Sequence, residues 1–320
     1  MFETYSRRDI YISTQSVLFL CLFLYLNESE CNINDIYEKF IIIWKRGSTM
    51  YFVYGEDNVK IAVYDLNPEG NKTIIMIHGW PLSEKIFEYQ KDMLIHAGYR
   101  VITMDLRGFG NSDVPAYGYG YNQFASDVYS IVTCLGLTSF TLVGFSMGGA
   151  IALRYMGLFK GFGVNKLCLL GAAAPCYTRR IDFPYGVSRE MVDDFISDIS
   201  TDRADFCAHF SQLLFYQPHS EAILDWFQDI SLSASGLGTK YAAYSLRDED
   251  CRADISMVNV PTGIFHGEED RVVPYKLGEI QHEWIKGSKM YSFKYSGHGI
   301  FYDELELFNK YFLDFLEDRD

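Results

Sequence analysis

The chain has 320 residues, enough for one large core or two small ones, and its 48% apolar and 22% charged residues are the proportions of a folded globular protein, not of a disordered one. Its formal net charge is -14, with 42 acidic against 28 basic residues. That balance argues against nucleic acid or an anionic membrane as partner, since both are bound through basic patches. The seven cysteines are odd in number and scattered, with no Cys-X-X-Cys pair and no metal-type spacing with histidine. They read as reduced thiols in a cytoplasmic setting, and Cys134 and Cys168 fall in apolar runs as small core residues.

Residues 1–49 differ in character from the rest of the chain. Val17 to Leu26 is an unbroken apolar run, about half of the roughly 20 residues needed to span a bilayer. Arg7 and Arg8 precede it, but Glu3 and Asp9 dilute the positive end, and Asn27-Glu28-Ser29-Glu30-Cys31 offers no small-X-small cleavage site. The segment is expected to be an upstream extension or a mis-called start before Met50, with an exported or membrane-associated protein as the alternative if the run functions.

From Met50 the periodicities settle. Tyr51 to Tyr54 and Val59 to Tyr64 flank Gly55-Glu56-Asp57-Asn58 and predict a hairpin. Thr73 to Ile77 is a continuous apolar run that suits a strand buried on both faces. Helices and strands then alternate: Glu84 to His96, Arg100 to Met104, Tyr121 to Leu135, Phe140 to Val143, Ser146 to Leu158 and Lys166 to Leu170. Such alternation implies an α/β fold with a mostly parallel central sheet and helices on both faces. Residues 176–260 carry no strand-like run but three amphipathic stretches, around Met191 to Ile199, Phe206 to Leu214 and Ile223 to Ile230. They predict a helical lid inserted before the late strands, within one domain over 50–320. The alternation resumes with Thr262 to Phe265, a helix near Tyr275 to Trp284, Met290 to Tyr295 and a last helix from Ile300 to Glu317.

The chemistry is carried by Gly144-Phe145-Ser146-Met147-Gly148-Gly149. An apolar strand running through Gly-X-Ser-X-Gly into a helix is a nucleophile elbow, with the serine hydroxyl exposed at a sharp turn. A serine needs a base to take its proton and a third group to orient that base. In this arrangement the acid and then the histidine follow the serine on loops after late strands. Glu268, Glu269 and Asp270 compete for the acid role, and the Gly-X-X-Asp-X-X-Val-Pro frame selects Asp270. Of the seven histidines, His298 alone lies in a Gly-flanked loop after the last strand. His78 and His266 read as loop-fixing hydrogen-bond partners, and His96, His209, His219 and His282 as surface or lid residues. None has metal-ligand spacing, so neither a metal nor another cofactor is expected. The oxyanion of a tetrahedral intermediate needs two amide donors, and the backbone N–H groups of Met147 and Trp80 are expected to supply them. Asp105-Leu106-Arg107-Gly108 lacks a phosphate-binding frame and reads as a buried ion network around Arg107.

Together these residues resemble the α/β-hydrolase superfamily. His78-Gly79-Trp80-Pro81-Leu82, Asp105-X-Arg107-Gly108-Phe109-Gly110, the Ser146 elbow and Gly267-X-X-Asp270 resemble more narrowly the cofactor-free bacterial haloperoxidases, which are serine esterases and perhydrolases. The resemblance runs from about Met50 to the end, and it implies a triad of Ser146, Asp270 and His298 with Trp80 and Met147 at the oxyanion hole. It also implies turnover of small esters, peracid formation from short carboxylic acids and hydrogen peroxide, and an association of Pro81 with the latter. Asp303-Glu304 depart from the pattern, standing where relatives often carry Thr-His. An apolar acyl pocket is expected from Pro81, Phe145, Val272, Val273 and the lid residue Trp226. An enol-lactone hydrolase using the same residues is the alternative, a ligand receptor on a hydrolase fold a more distant one, and a homo-oligomer stays open.

Overall fold

The computed structural model describes residues 50–319. The expectations for residues 1–49 lie outside the described residues. Eight strands form one sheet in the order β1-β2-β4-β3-β5-β6-β7-β8. They are β1 (Met50–Tyr54), β2 (Lys60–Leu66), β3 (Lys72–Ile77), β4 (Tyr99–Met104), β5 (Phe140–Phe145), β6 (Val164–Leu170), β7 (Thr262–Gly267) and β8 (Lys289–Phe293). The first hairpin is antiparallel and β2 pairs antiparallel with β4, while every pairing from β4 through β8 is parallel. The parallel core explains the runs without alternation. β5 and β7 are buried along their whole length, because crossover helices cover both faces of such a sheet.

The helices between strands are α1 (Glu88–His96), α2 (Tyr121–Cys134) and α3 (Met147–Leu158), and a 3-10 turn over Glu84–Phe87 precedes α1. Arg107, after β4, is fully buried and grips two carboxylates. Its Nε and Nη2 donate to Asp127 on α2 at 2.6 Å each. Its Nη1 and Nη2 reach Asp57 of the β1–β2 turn at 2.7 and 2.9 Å. The expected ion network is therefore present, and it joins the antiparallel edge to the helical layer.

Between the neighbouring strands β6 and β7 the chain leaves the sheet to form the lid. It holds α4 (Arg189–Thr201), α5 (Arg203–Leu213), α6 (Glu221–Ser233), α7 (Gly236–Asp248) and the short α8 (Arg252–Ile255). A side-chain oxygen caps each of the first four: Ser188, Asp202, Ser220 and Ser235 accept from the amide three residues on. Three helical stretches are expected here from the sequence and the structure has more. The pattern hides α7, because its first turn contains Gly236 and Gly238 and the rest of its buried stripe, Thr239, Ala242, Ala243 and Leu246, has one strongly apolar member. Gly238 is required by packing, since a Cβ there would stand 2.6 Å from the carbonyl oxygen of Gly108.

After β7 come α9 (Tyr275–Trp284), β8, α10 (Ile300–Asp303) and α11 (Leu305–Leu316). The single terminal helix expected from Ile300 to Glu317 is broken at Glu304, at φ -125 and ψ 53. The carboxylates of Asp303 and Glu304 turn back there to accept bonds from other loops. Among the described residues no helix is long and apolar enough to cross a membrane, and the five described cysteines are unpaired.

Candidate active site

Strand β5 delivers Ser146 to the tip of a turn at φ 55 and ψ -120, and α3 begins at the next residue. A side chain other than glycine holds such a conformation only when its surroundings enforce it. Here the backbone is pinned from both sides. The Ser146 amide donates to Leu170 O at 2.9 Å, and its carbonyl accepts from Ala173 N at 3.0 Å. The turn closes because two positions lack a Cβ: one on Gly144 would lie 2.3 Å from Gly148 O, and one on Gly148 would lie 2.3 Å from Ile77 O.

Asp270 follows β7. Its Oδ1 accepts the amides of Val272 and Val273, both at 2.8 Å. Its Oδ2 lies 2.7 Å from His298 Nδ1 and 3.4 Å from His266 Nε2. Burial alone would raise the pKa of this carboxyl, but His298 and His266 beside it hold it well below the usual carboxylate range. The ionised acid places the His298 proton on Nδ1, leaving Nε2 with its lone pair. That Nε2 is buried and, among the described residues, has no hydrogen-bond partner.

Several contacts bring this ring to the elbow. It packs on Phe145, the residue before Ser146, with centroids 4.7 Å apart. It also covers Gly171, where a Cβ would stand 3.2 Å from Nδ1; the neighbouring Leu170 carbonyl is the one that holds the Ser146 amide. Ser146 is 5% exposed and His298 1%, so the site is almost closed to solvent.

The loop after β3 lies over the serine, and a Cβ on Gly79 would meet Ser146 Cβ at 2.8 Å. His78 fixes this loop, with Nδ1 2.8 Å from Gly79 O and Nε2 accepting the Leu106 amide at 3.0 Å. Trp80 turns its ring toward the lid. Its indole N–H donates to Thr239 O at 2.8 Å, and Phe195, Phe206 and Phe210 pack on it with centroids 5.4 to 6.3 Å away. Met147 opens α3, where the first amides have no partner inside the helix.

The five residues expected to line an acyl pocket are placed as follows. Pro81 is buried beside Trp80. Phe145 lies between His298 and Phe301. Val272 and Val273 are buried, and their amides hold Asp270. Trp226 is half-buried against Phe227 and Tyr302. A cavity of about 120 Å³ opens between α4 and α5 around Phe195, Phe206, Phe210 and His209. It is lined by the same phenylalanines that hold Trp80, and none of the ten site residues expected from the sequence lines it. Among the described residues no group of three His, Cys, Asp or Glu side chains is placed to hold a metal.

Two contributors escape the sequence. His266 reads there as fixing its loop, which it does through Nε2 to Val273 O at 3.0 Å, but it also faces the acid. Asp303 stands out there only as a departure from pattern, yet its Oδ2 accepts the amide of Gly297, adjacent to His298, at 2.7 Å. The signal available for it is a carboxylate directly after the apolar Ile300-Phe301-Tyr302 run.

Comparison with known proteins adds an independent line. The alpha/beta hydrolase fold family matches residues 72–305. Over 265 residues the chain is 41% identical to the AB hydrolase superfamily protein YisY of Bacillus subtilis, an alignment covering 83% of this chain and 98% of that one. The esterase of Exiguobacterium antarcticum superposes with a TM-score of 0.81 at 42% identity, over 85% of this chain and all of the esterase. The bromoperoxidase of Bacillus anthracis superposes with a TM-score of 0.79 at 34% identity, over 84% of this chain and 99% of its own.

Proposed function

The chain belongs to the α/β-hydrolase superfamily, close to its non-heme haloperoxidase and esterase members, and from that premise we propose that it cleaves small carboxylic esters through an acyl-enzyme on Ser146. The observation that carries this reading is the strained serine at φ 55 beside a buried Asp270–His298 pair at 2.7 Å. His298 Nε2 takes the Ser146 proton as Oγ attacks the acyl carbon, and Asp270 steadies the imidazolium that forms. The amides of Trp80 and Met147 receive the developing oxyanion. Collapse expels the alcohol with the proton from His298, and water then repeats the sequence in reverse to free the acid. The unpartnered Nε2 does not count against this reading, since the serine–histidine bond is often loose before substrate arrives.

Hydrogen peroxide can replace water in the second half. Its oxygen attacks the acyl carbon, Ser146 leaves with the proton from His298, and the product is a peracid that oxidises bromide to hypobromous acid and returns the carboxylate. No cofactor enters either route. The unpaired described cysteines support a reducing compartment such as the cytoplasm.

Ser146→Ala should abolish turnover of p-nitrophenyl acetate and, with acetate and peroxide supplied, bromination of a reporter dye. Unchanged ester turnover in that variant would overturn the assignment. Faster turnover of lactones than of acyclic esters would move the substrate class without moving the nucleophile.

A further inference from the structure

Among the contacts between the lid and the sheet domain is a buried carboxylate that the proposed chemistry does not use. The Asp303 side chain has no exposed surface. Its Oδ2 accepts the amides of Tyr216 at 2.8 Å and Gly297 at 2.7 Å. Its Oδ1 accepts the Gln217 amide at 3.1 Å and His219 Nε2 at 2.8 Å. These four donors come from two segments only. Gly297 belongs to the loop that carries His298, and the other three belong to the connection between α5 and α6.

The same two segments touch directly. The Gly299 amide donates to Leu214 O at 2.6 Å, and Gln217 Nε2 donates to Tyr295 O at 2.9 Å. A Cβ on Gly297 would stand 2.9 Å from the Tyr216 amide, so the contact tolerates no added atom. Glu304 completes the seam by accepting from the Tyr295 amide and the Ser296 hydroxyl at 2.9 and 2.7 Å. Hydrogen bonds to a buried charge are the strong class, and one left unmade costs more than a neutral one. Tyr216 and Gly297 share one oxygen, so a shift of the lid connection and a shift of the histidine loop cannot be independent.

We propose that Asp303 is a positioning residue for His298, holding the Gly297–His298 peptide against the lid connection so that Nε2 faces Ser146 when the lid is seated. The proposal rests on the serine-hydrolase reading. It predicts that loosening the seam degrades the geometry of proton transfer while leaving the surface that binds the acyl group in place.

The test uses the full chain with p-nitrophenyl acetate. Asp303→Asn keeps the size of the side chain but turns an NH2 group toward two of the four donors. Its kcat should fall on the order of 10- to 100-fold, the scale of a small misplacement of a reacting group, with KM within about twofold of wild type. A folded Asp303→Asn variant with unchanged kcat, or with only KM altered, would overturn the proposal. If that variant loses its near-ultraviolet circular dichroism, His219→Ala decides, because it removes one donor from the lid side: a lowered kcat in the folded protein supports the proposal and an unchanged kcat overturns it. Wild-type turnover that Ser146→Ala abolishes keeps the underlying reading intact in either case. Absence of wild-type turnover and of fluorophosphonate labelling would overturn that reading and this proposal with it.

Discussion

At the scale of single residues, the best-defined group is Asp270. It is enclosed, yet two amides and two imidazoles face its oxygens, so the charged form is stabilised against the penalty of burial. A folded-state pKa below the ordinary 3.8 means that the unfolded chain binds the proton first as pH falls. The stability contributed by this carboxylate is thus fully present above that ordinary value and is lost as pH drops through it toward the native one. Urea unfolding of wild type and Asp270→Asn should show a gap that is constant near neutrality and narrows below pH 3.8. In activity the same substitution favours the wrong tautomer of His298, and a loss on the order of 10^4 in kcat is expected, as for other triads of this type. A rate within tenfold of wild type would remove Asp270 from the mechanism.

At the scale of elements, the elbow and the lid obey different rules, and they are legible in the sequence to different degrees. β5 and α3 can be read because a strand buried on both faces, a glycine-spaced turn and a helix leave a local pattern. Asp270 and His298, proposed as acid and base, stand out for the same reason, each in a short frame after a strand. Asp303 has no such frame. Its partners lie 84 to 87 residues away across the lid, apart from Gly297, and only the folded chain brings them together. Helix α7 escapes because only Leu246 of its buried face is strongly apolar, the rest being glycine, threonine and two alanines that a hydrophobic period scarcely registers.

The lid also furnishes the wall behind Trp80. Phe210 is fully buried there, so Phe210→Ala should cost about 3–5 kcal/mol in chemical denaturation, the usual range for emptying a buried phenylalanine site. Because Trp80 sits on the loop over Ser146, the same variant should raise KM for p-nitrophenyl acetate. Loss of stability with KM unchanged would show that the wall supports the fold alone.

For the whole molecule, the parallel sheet is closed at one side by the antiparallel β1–β2 hairpin, and Arg107 is the pin between them. Its two forks reach a turn and a helix that share no hydrogen-bonded strand. Removing Arg107 leaves the buried Asp127 carboxylate desolvated and unpaired, while Asp57 is partly exposed to water, so Arg107→Ala is expected to lose about 3–5 kcal/mol. Arg107→Met combined with Asp127→Leu should lose less than the single change, because the stranded charge is gone. A double variant that is less stable than Arg107→Ala in urea would contradict this account.

The lid begins and ends on β6 and β7, which lie side by side. Its two roots therefore form a socket of fixed width, and the sheet does not register how much chain is strung between them. A cap of another size grafted there should retune selectivity, provided it restores the contacts that the present one makes to Trp80 and Asp303. Without a counterpart of Tyr216–His219 facing Asp303, the new cap would arrive without its latch.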